Sequence, residues 1–171
     1  VELSVEAGRE RTPWFGGSMA PPDATGCEPL GAEGGVIDDT SACFSAFGPA
    51  TYWRTAGTGH GDSLRWTNAF ANDTPSNWAR WHIDLNHAGD YAVEVFIDPT
   101  WGVYDATRYT VRHGGAQSRF NVDQSAASGW TRLGVLAFAA GAGQDVNVFD
   151  NASSPVASDQ HVVADAIRLV R

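Results

Sequence analysis

From residue 107 the chain reads TRYTVRHGGAQSRFNVDQSAASGWTRLGVLAFAAGAGQDVNVFDN, and it closes on HVVADAIRLVR. Apolar alternation is broken here by HGGA, SAASG, AGAGQ and NASSP, a strand-and-turn rhythm at roughly ten-residue spacing. No stretch combines helical spacing with capping signals and adequate length, and the Ala-rich pieces are interrupted by glycine. The alternation is clearest in Ala79–Leu85, where Ala79, Trp81, Ile83 and Leu85 point one way and Arg80, His82 and Asp84 the other. Tyr91, Val93, Val95 and Ile97 extend the inward row, followed by Tyr109 and Val111. HGG at 113–115 turns the chain into a strand around Phe120 and Val122, and Thr131–Phe138, Asp145–Phe149 and a final Val162–Val170 follow. Eight or nine strands, tight turns and no crossover helices predict an all-β, antiparallel sandwich of the jelly-roll type.

At 171 residues the chain fits one domain with a core of its own. A net charge of −9, eleven basic residues and no basic cluster argue against a nucleic-acid surface. The longest apolar stretch, Leu133 to Gly143, is too short for a membrane span. The opening at Val1, without a charged n-region and an apolar h-region, reads as a mature or excised piece, the C-terminal domain of a larger precursor. Residues 1–35 are Gly- and Pro-rich, and Pro13, Pro21, Pro22 and Pro29 prevent a long helix. They read as an arm or linker packed on the domain through Trp14 and Phe15. Cys27 and Cys43 lack a CxxC motif. They are either two buried thiols or a disulfide, whose closed loop of about 15 residues would contribute about 3 kcal/mol. Low Lys, abundant Asp, Gly, Thr and Trp, and the even Cys count favour the disulfide and an exported, extracytoplasmic protein.

AGDYAVEVFI (88–97), ATRYTVRHGG (106–115), FNVDQSAASGWTRLGVLAFAAG (120–141) and VVADAIRLV (162–170) together resemble the golvesin C-terminal-like domain. That family also occurs as an accessory module beside xanthan lyase and cell-wall amidase domains. The resemblance covers roughly residues 36–171, with weaker echoes at VIDDTSACFSAFG, at TYW and at ARWHIDL. It implies a galactose-binding-like β-sandwich and a noncatalytic attachment module. The segment before residue 36, the Cys27–Cys43 loop and the long DNASSPVASDQHVV connection depart from the pattern. Asp123, Gln124, Trp130, Gly134, Ala164 and Asp165 read physically as architecture.

Asp165 falls by alternation with Val163, Ile167 and Leu169 on an apolar face, where an unpaired carboxylate is costly. It must accept hydrogen bonds from loop amides or meet a cation, or the strand must bulge there. No cofactor is expected beyond a structural calcium shared with Asp38, Asp39 or Asp150. A metal site at His82, Asp84 and His87 is a weaker reading, because exposed polar residues alternating along a strand are ordinary. There is no G-x-S-x-G motif, and the strands hold little Glu apart from Glu94 on an outward position, so no catalytic residues are expected.

Aromatic residues suggest a glycan ligand, since flat rings cover sugar C–H faces while polar neighbours bond the hydroxyls. The loop DPTWGVYDATR offers Trp101 and Tyr104 for stacking, with Asp98, Asp105 and Arg108 beside them. Trp53, Trp66 and Trp78, with Asn77 and Arg80, offer a second platform, whereas Trp81 and Trp130 belong to the core. The expected function is attachment of a secreted bacterial protein to polysaccharide, peptidoglycan or another envelope glycan. The alternative is a protein-interaction or structural C-terminal domain that localises or stabilises an upstream enzyme. The expected partners are accordingly a glycan surface and an upstream catalytic domain, with no nucleic acid and no membrane span.

Overall fold

Two-residue periodicity is expressed as strands whose alternate side chains are removed from water. The computed structural model describes residues 26–153 and 155–171, so most of the expected N-terminal arm lies outside the described residues. The first strands are β1 (Gly34–Ile37), β2 (Phe44–Phe47), β3 (Arg54–Ala56), β4 (Leu64–Asn68) and β5 (Phe70–Ala71). The long central strands are β6 (Trp78–Leu85), β7 (Gly89–Ile97), β8 (Thr107–His113), β9 (Ala116–Val122), β10 (Gly129–Phe138) and β11 (Gly141–Phe149). β12 (Asn151–Ala152), β13 (His161–Ala164) and β14 (Ile167–Val170) complete the chain. The larger number of strands than the eight or nine expected comes from short segments such as β3, β5 and β12.

A four-stranded sheet ordered β1-β14-β7-β10 packs on a five-stranded sheet ordered β2-β6-β11-β8-β9. A three-stranded sheet, β13-β4-β3, and a two-residue parallel pair, β12-β5, accompany the two main sheets. The pairing in both main sheets is antiparallel throughout. The fold is therefore the expected antiparallel β-sandwich. Ala79, Trp81, Ile83 and Leu85 of β6, Val146 and Val148 of β11 and Tyr109 and Val111 of β8 form one inner wall. Tyr91, Val93, Val95, Ile97, Ile167 and Leu169 form the other, and all are almost fully buried. Each large side chain buried in this way contributes roughly 1.5–3 kcal/mol against its exposed state.

Three expectations change in the folded chain. The closing segment is two strands in different sheets, β13 and β14, with Asp165 and Ala166 at the crossing. Glu94 does stand opposite the inner wall, but it is covered there: Arg132 and Arg168 clamp it from the neighbouring strands β10 and β14. The Arg168 hydrogen bond holds its carboxyl below the usual carboxylate range. Trp130 is half-buried on the same outer face, stacked edge-on with Phe96 at 5.3 Å and with Arg168 above its ring.

Cys27 and Cys43 are joined, so the disulfide reading holds and the two-thiol reading falls away. The bridge pins the segment before β1 to the entry of β2, and Cys43 O accepts the amide of His82 on β6. Replacing both cysteines by serine should lower stability by about 3 kcal/mol, because the unfolded chain regains the entropy of the closed loop. Urea denaturation of the double variant, compared with the parent under oxidising and reducing conditions, measures this. An unchanged midpoint would show that the bridge holds no part of the fold.

Candidate carbohydrate-binding face

Strand order turns scattered outward residues into rows. Pairing of β2, β6, β11, β8 and β9 aligns Phe47, Trp78, Phe149, Arg108 and Asn121 across the outer face of the five-stranded sheet. The next row is Ser45, Arg80, Asn147, Thr110 and Arg119. The third is His82, Asp145, Arg112 and Gln117. Most of them line an open groove of about 390 Å³, among them Trp78, Arg80, Arg108, Arg112 and Arg119.

The aromatic row is stacked along its length. Phe47 lies parallel to Trp78 with ring centres 3.8 Å apart, and Phe149 follows at 6.2 Å. The Arg80 guanidinium sits 4.9 Å over Trp78, and that of Arg108 sits 4.9 Å over Phe149. Such contacts fix flat rings and cationic groups side by side. Buried Asp145 anchors the basic side of the groove: Arg112 pairs with it, Arg80 approaches to 3.5 Å and Asn147 Nδ2 donates at 2.8 Å. Arg80 Nε also donates to Asn147 Oδ1 at 2.8 Å. Burial lowers the pKa of Arg80, while Asp145 opposes that shift. Four guanidinium groups thus face one carboxylate, in a protein whose net charge is −9 and whose basic residues are all arginine.

The residues singled out from the sequence are divided between this groove and other places. Trp78 and Arg108 lie in it. Arg108 additionally donates to Asn151 and borders a second hollow with Tyr104 and Asn121. Tyr104 is 6 % exposed and packs in the core, so its ring is not available for stacking on a sugar. Asp105 is exposed in the turn before β8. Trp101 belongs to a separate shelf, stacked on Trp66 at 4.9 Å and on His161 at 6.2 Å, with Arg54 over Trp66. Burial lowers the pKa of His161, and Arg54 adds to the shift. The expected platform of Trp53, Trp66 and Trp78 is therefore split: Trp53 donates Nε1 to Phe47 O, Trp66 joins the shelf and Trp78 joins the groove.

Asp123 caps the short turn at 124–126 by accepting the amide of Ala126 at 3.1 Å. Gln124 is fully buried and spans Tyr109 Oη and the backbone of Val163. Asp165 accepts the amide of His60, a loop amide as expected, at 3.2 and 3.1 Å on its two oxygens. Burial pushes its pKa up to about 8. Asp150 is occupied by the amides of Ser76 and Asn77 at 2.9 and 2.8 Å. His82 bonds Ser45 Oγ at 3.1 Å, and the described residues do not gather it with Asp84 and His87 into a ligand cluster.

Arg112, Arg119, Asn147, Asp145 and Phe149 were missed because none belongs to a motif. Their signal was the outward parity of β8, β9 and β11, which becomes a site only when strand order is known. Comparison with known families agrees with the architecture: the model of the golvesin C-terminal domain matches residues 36–171.

The chain belongs to the golvesin C-terminal domain family. No curated protein matches it in sequence. Among solved structures this golvesin domain is similar to Paenibacillus xanthan lyase, with a TM-score of 0.68 and 21 % identity over 81 % of this chain. The match covers 13 % of the lyase, so the golvesin domain corresponds to a small part of that protein. It is also similar to a family 35 carbohydrate-binding module from Clostridium thermocellum, with a TM-score of 0.50 and 13 % identity. That match covers 80 % of this chain and 98 % of the module. These likenesses are of fold.

Asp145 tests how the groove is built. Asp145→Asn keeps the shape but removes the charge that holds Arg80 and Arg112, and should cost about 1–3 kcal/mol in urea denaturation. A variant as stable as the parent would show that the arginines are held without it.

Proposed function

We propose that this golvesin domain is a noncatalytic, extracytoplasmic attachment module that holds a larger protein to an acidic glycan. The observation that carries the reading is the groove on the five-stranded sheet, where stacked aromatic rings run beside four arginines. An aromatic row suits the apolar faces of successive pyranose rings. Guanidinium forks suit carboxylates, which they bind in two-point hydrogen bonds. In this reading Trp78 and Phe149 carry the sugar rings, Arg80 and Asn147 orient hydroxyls, and Arg108, Arg112 and Arg119 meet the acidic groups. The name of one similar structure, a xanthan lyase, and that of the other, a carbohydrate-binding module, both suit a polysaccharide ligand. The disulfide suits an oxidising compartment, and no helix among the described residues is long and apolar enough to cross a membrane.

Affinity electrophoresis through gels containing polygalacturonate, xanthan, dextran or solubilised peptidoglycan tests the proposal. The domain should be retarded by the acidic polymers, less so as salt rises. Replacing Arg112 and Arg119 by alanine should weaken binding about tenfold or more, equivalent to about 1.4 kcal/mol. Trp78→Ala should do likewise, whereas Trp101→Ala should not. Equal retardation by dextran would remove the acidic preference while leaving attachment intact. Loss on Trp101→Ala alone would move the site to the Trp66–Trp101 shelf. Retention by no glycan, with co-purification of an envelope protein, would replace the proposal with a protein-interaction role.

A further inference from the structure

Away from the groove, three carboxylates converge where the chain passes between sheets. Asp38 and Asp39 follow β1, and Asp165 stands between β13 and β14. One carboxylate oxygen from each lies within 4.8 Å of the other two. Asp39 and Asp165 are 2 % and 1 % exposed. Among the described residues, Arg65 Nε is 3.5 Å from Asp39 Oδ2, and His60 Nδ1 is 3.0 Å from Asp38 Oδ2. The remaining contacts are the His60 amide on Asp165, Ser63 Oγ on Asp39 Oδ2, and Thr40 on Asp38 Oδ1. Asp98 adds a further negative charge toward Asp165.

Asp39 Oδ1 decides the argument. It is buried and has no hydrogen-bond partner among the described residues, and the carboxylate carrying it lies beside its two acidic neighbours. A buried anionic oxygen without a donor is costly, and a cation shared with the adjacent carboxylates removes that cost. The loop that covers the cluster is shaped to approach it closely. A Cβ on Gly59 would collide with Asp165 Oδ2 and come within 3.1 Å of the Ser63 carbonyl oxygen, and one on Gly61 would lie 3.3 Å from Asp38 Oδ2. Both glycines have positive φ, 94° and 67°.

We propose that Asp38, Asp39 and Asp165 bind a calcium ion that ties the turn after β1 to the β13–β14 crossing. All the donors are hard oxygens, which suit calcium. Calcium accepts irregular sets of oxygens, whereas magnesium demands near-octahedral geometry and gives up its own waters reluctantly. The site shares no residue with the groove, so the inference is independent of glycan binding.

The test uses the isolated domain stripped with chelator, in the absence of sugar. Isothermal titration should show one calcium bound per chain. Saturating calcium should raise the melting midpoint by about 5 °C or more, as expected for an ion that binds only the folded state. Excess chelator should reverse the rise, and magnesium should give a smaller one. Asp39→Asn and Asp165→Asn should each abolish calcium binding. Their metal-free forms should melt no lower than metal-free parent, since the amide keeps an acceptor oxygen and carries no charge to desolvate. Absence of binding by the parent would overturn the proposal, as would equal response to magnesium. So would full calcium binding by both folded variants, which would place the ion elsewhere.

Discussion

Everything on the outer face depends on the inside–outside alternation of β6, β8 and β11. The alternation that turns Trp81, Val146 and Tyr109 into the core turns their chain neighbours Arg80, Asp145 and Arg108 toward the outer face. A one-residue slip would drive guanidinium groups into the core and bring Trp81 to the surface. The apolar wall therefore fixes the register of the polar rows. The core is the positioning device for the groove, although it shares no side chain with it.

This division explains what could be seen in advance. Strands, turns, the disulfide and the burial of Tyr91, Val93, Tyr109 and Leu169 follow from local composition and parity, and these were legible. Partners across strands were not. Glu94 is outward by parity yet 8 % exposed, because β10 and β14 bring Arg132 and Arg168 over it. Trp130 carries a large apolar ring, but its position on that same outer face leaves it half-buried between Phe96 and Arg168. Tyr104 sits in a loop that looks exposed in sequence, while its backbone bonds to His161 and its ring enters the core. Each departure comes from a neighbour more than thirty residues away in the chain.

The use of arginine alone for positive charge also has a physical logic. Arg80 and Arg108 sit over the rings of Trp78 and Phe149, and Arg168 sits over Trp130. A planar, weakly hydrated guanidinium can stack on a ring and still direct N–H groups sideways, which a lysine ammonium cannot do as well. Aromatic and basic residues thereby share one surface layer. Asp145 and Asn147 below them restrain side chains that would otherwise lose considerable rotamer freedom on meeting a ligand.

Crossings between sheets are where such a sandwich is least self-sufficient. Within a sheet, ladder hydrogen bonds satisfy the backbone; where the chain leaves one sheet for another, those partners end. β1 and β2 lie in different main sheets, and β13 and β14 are likewise separated. Asp38 and Asp39 occupy the first crossing and Asp165 the second, and the His60 loop bonds to both. The Cys27–Cys43 bridge holds the far end of the first crossing. Asp38 and Asp165 accept loop amides that no strand serves, and the negative charge gathered there with Asp39 is the cost of that service. A cation placed among them would offset the charge and join the two crossings directly. The same residues that let the chain change sheets would then lock the beginning of the described domain to its end.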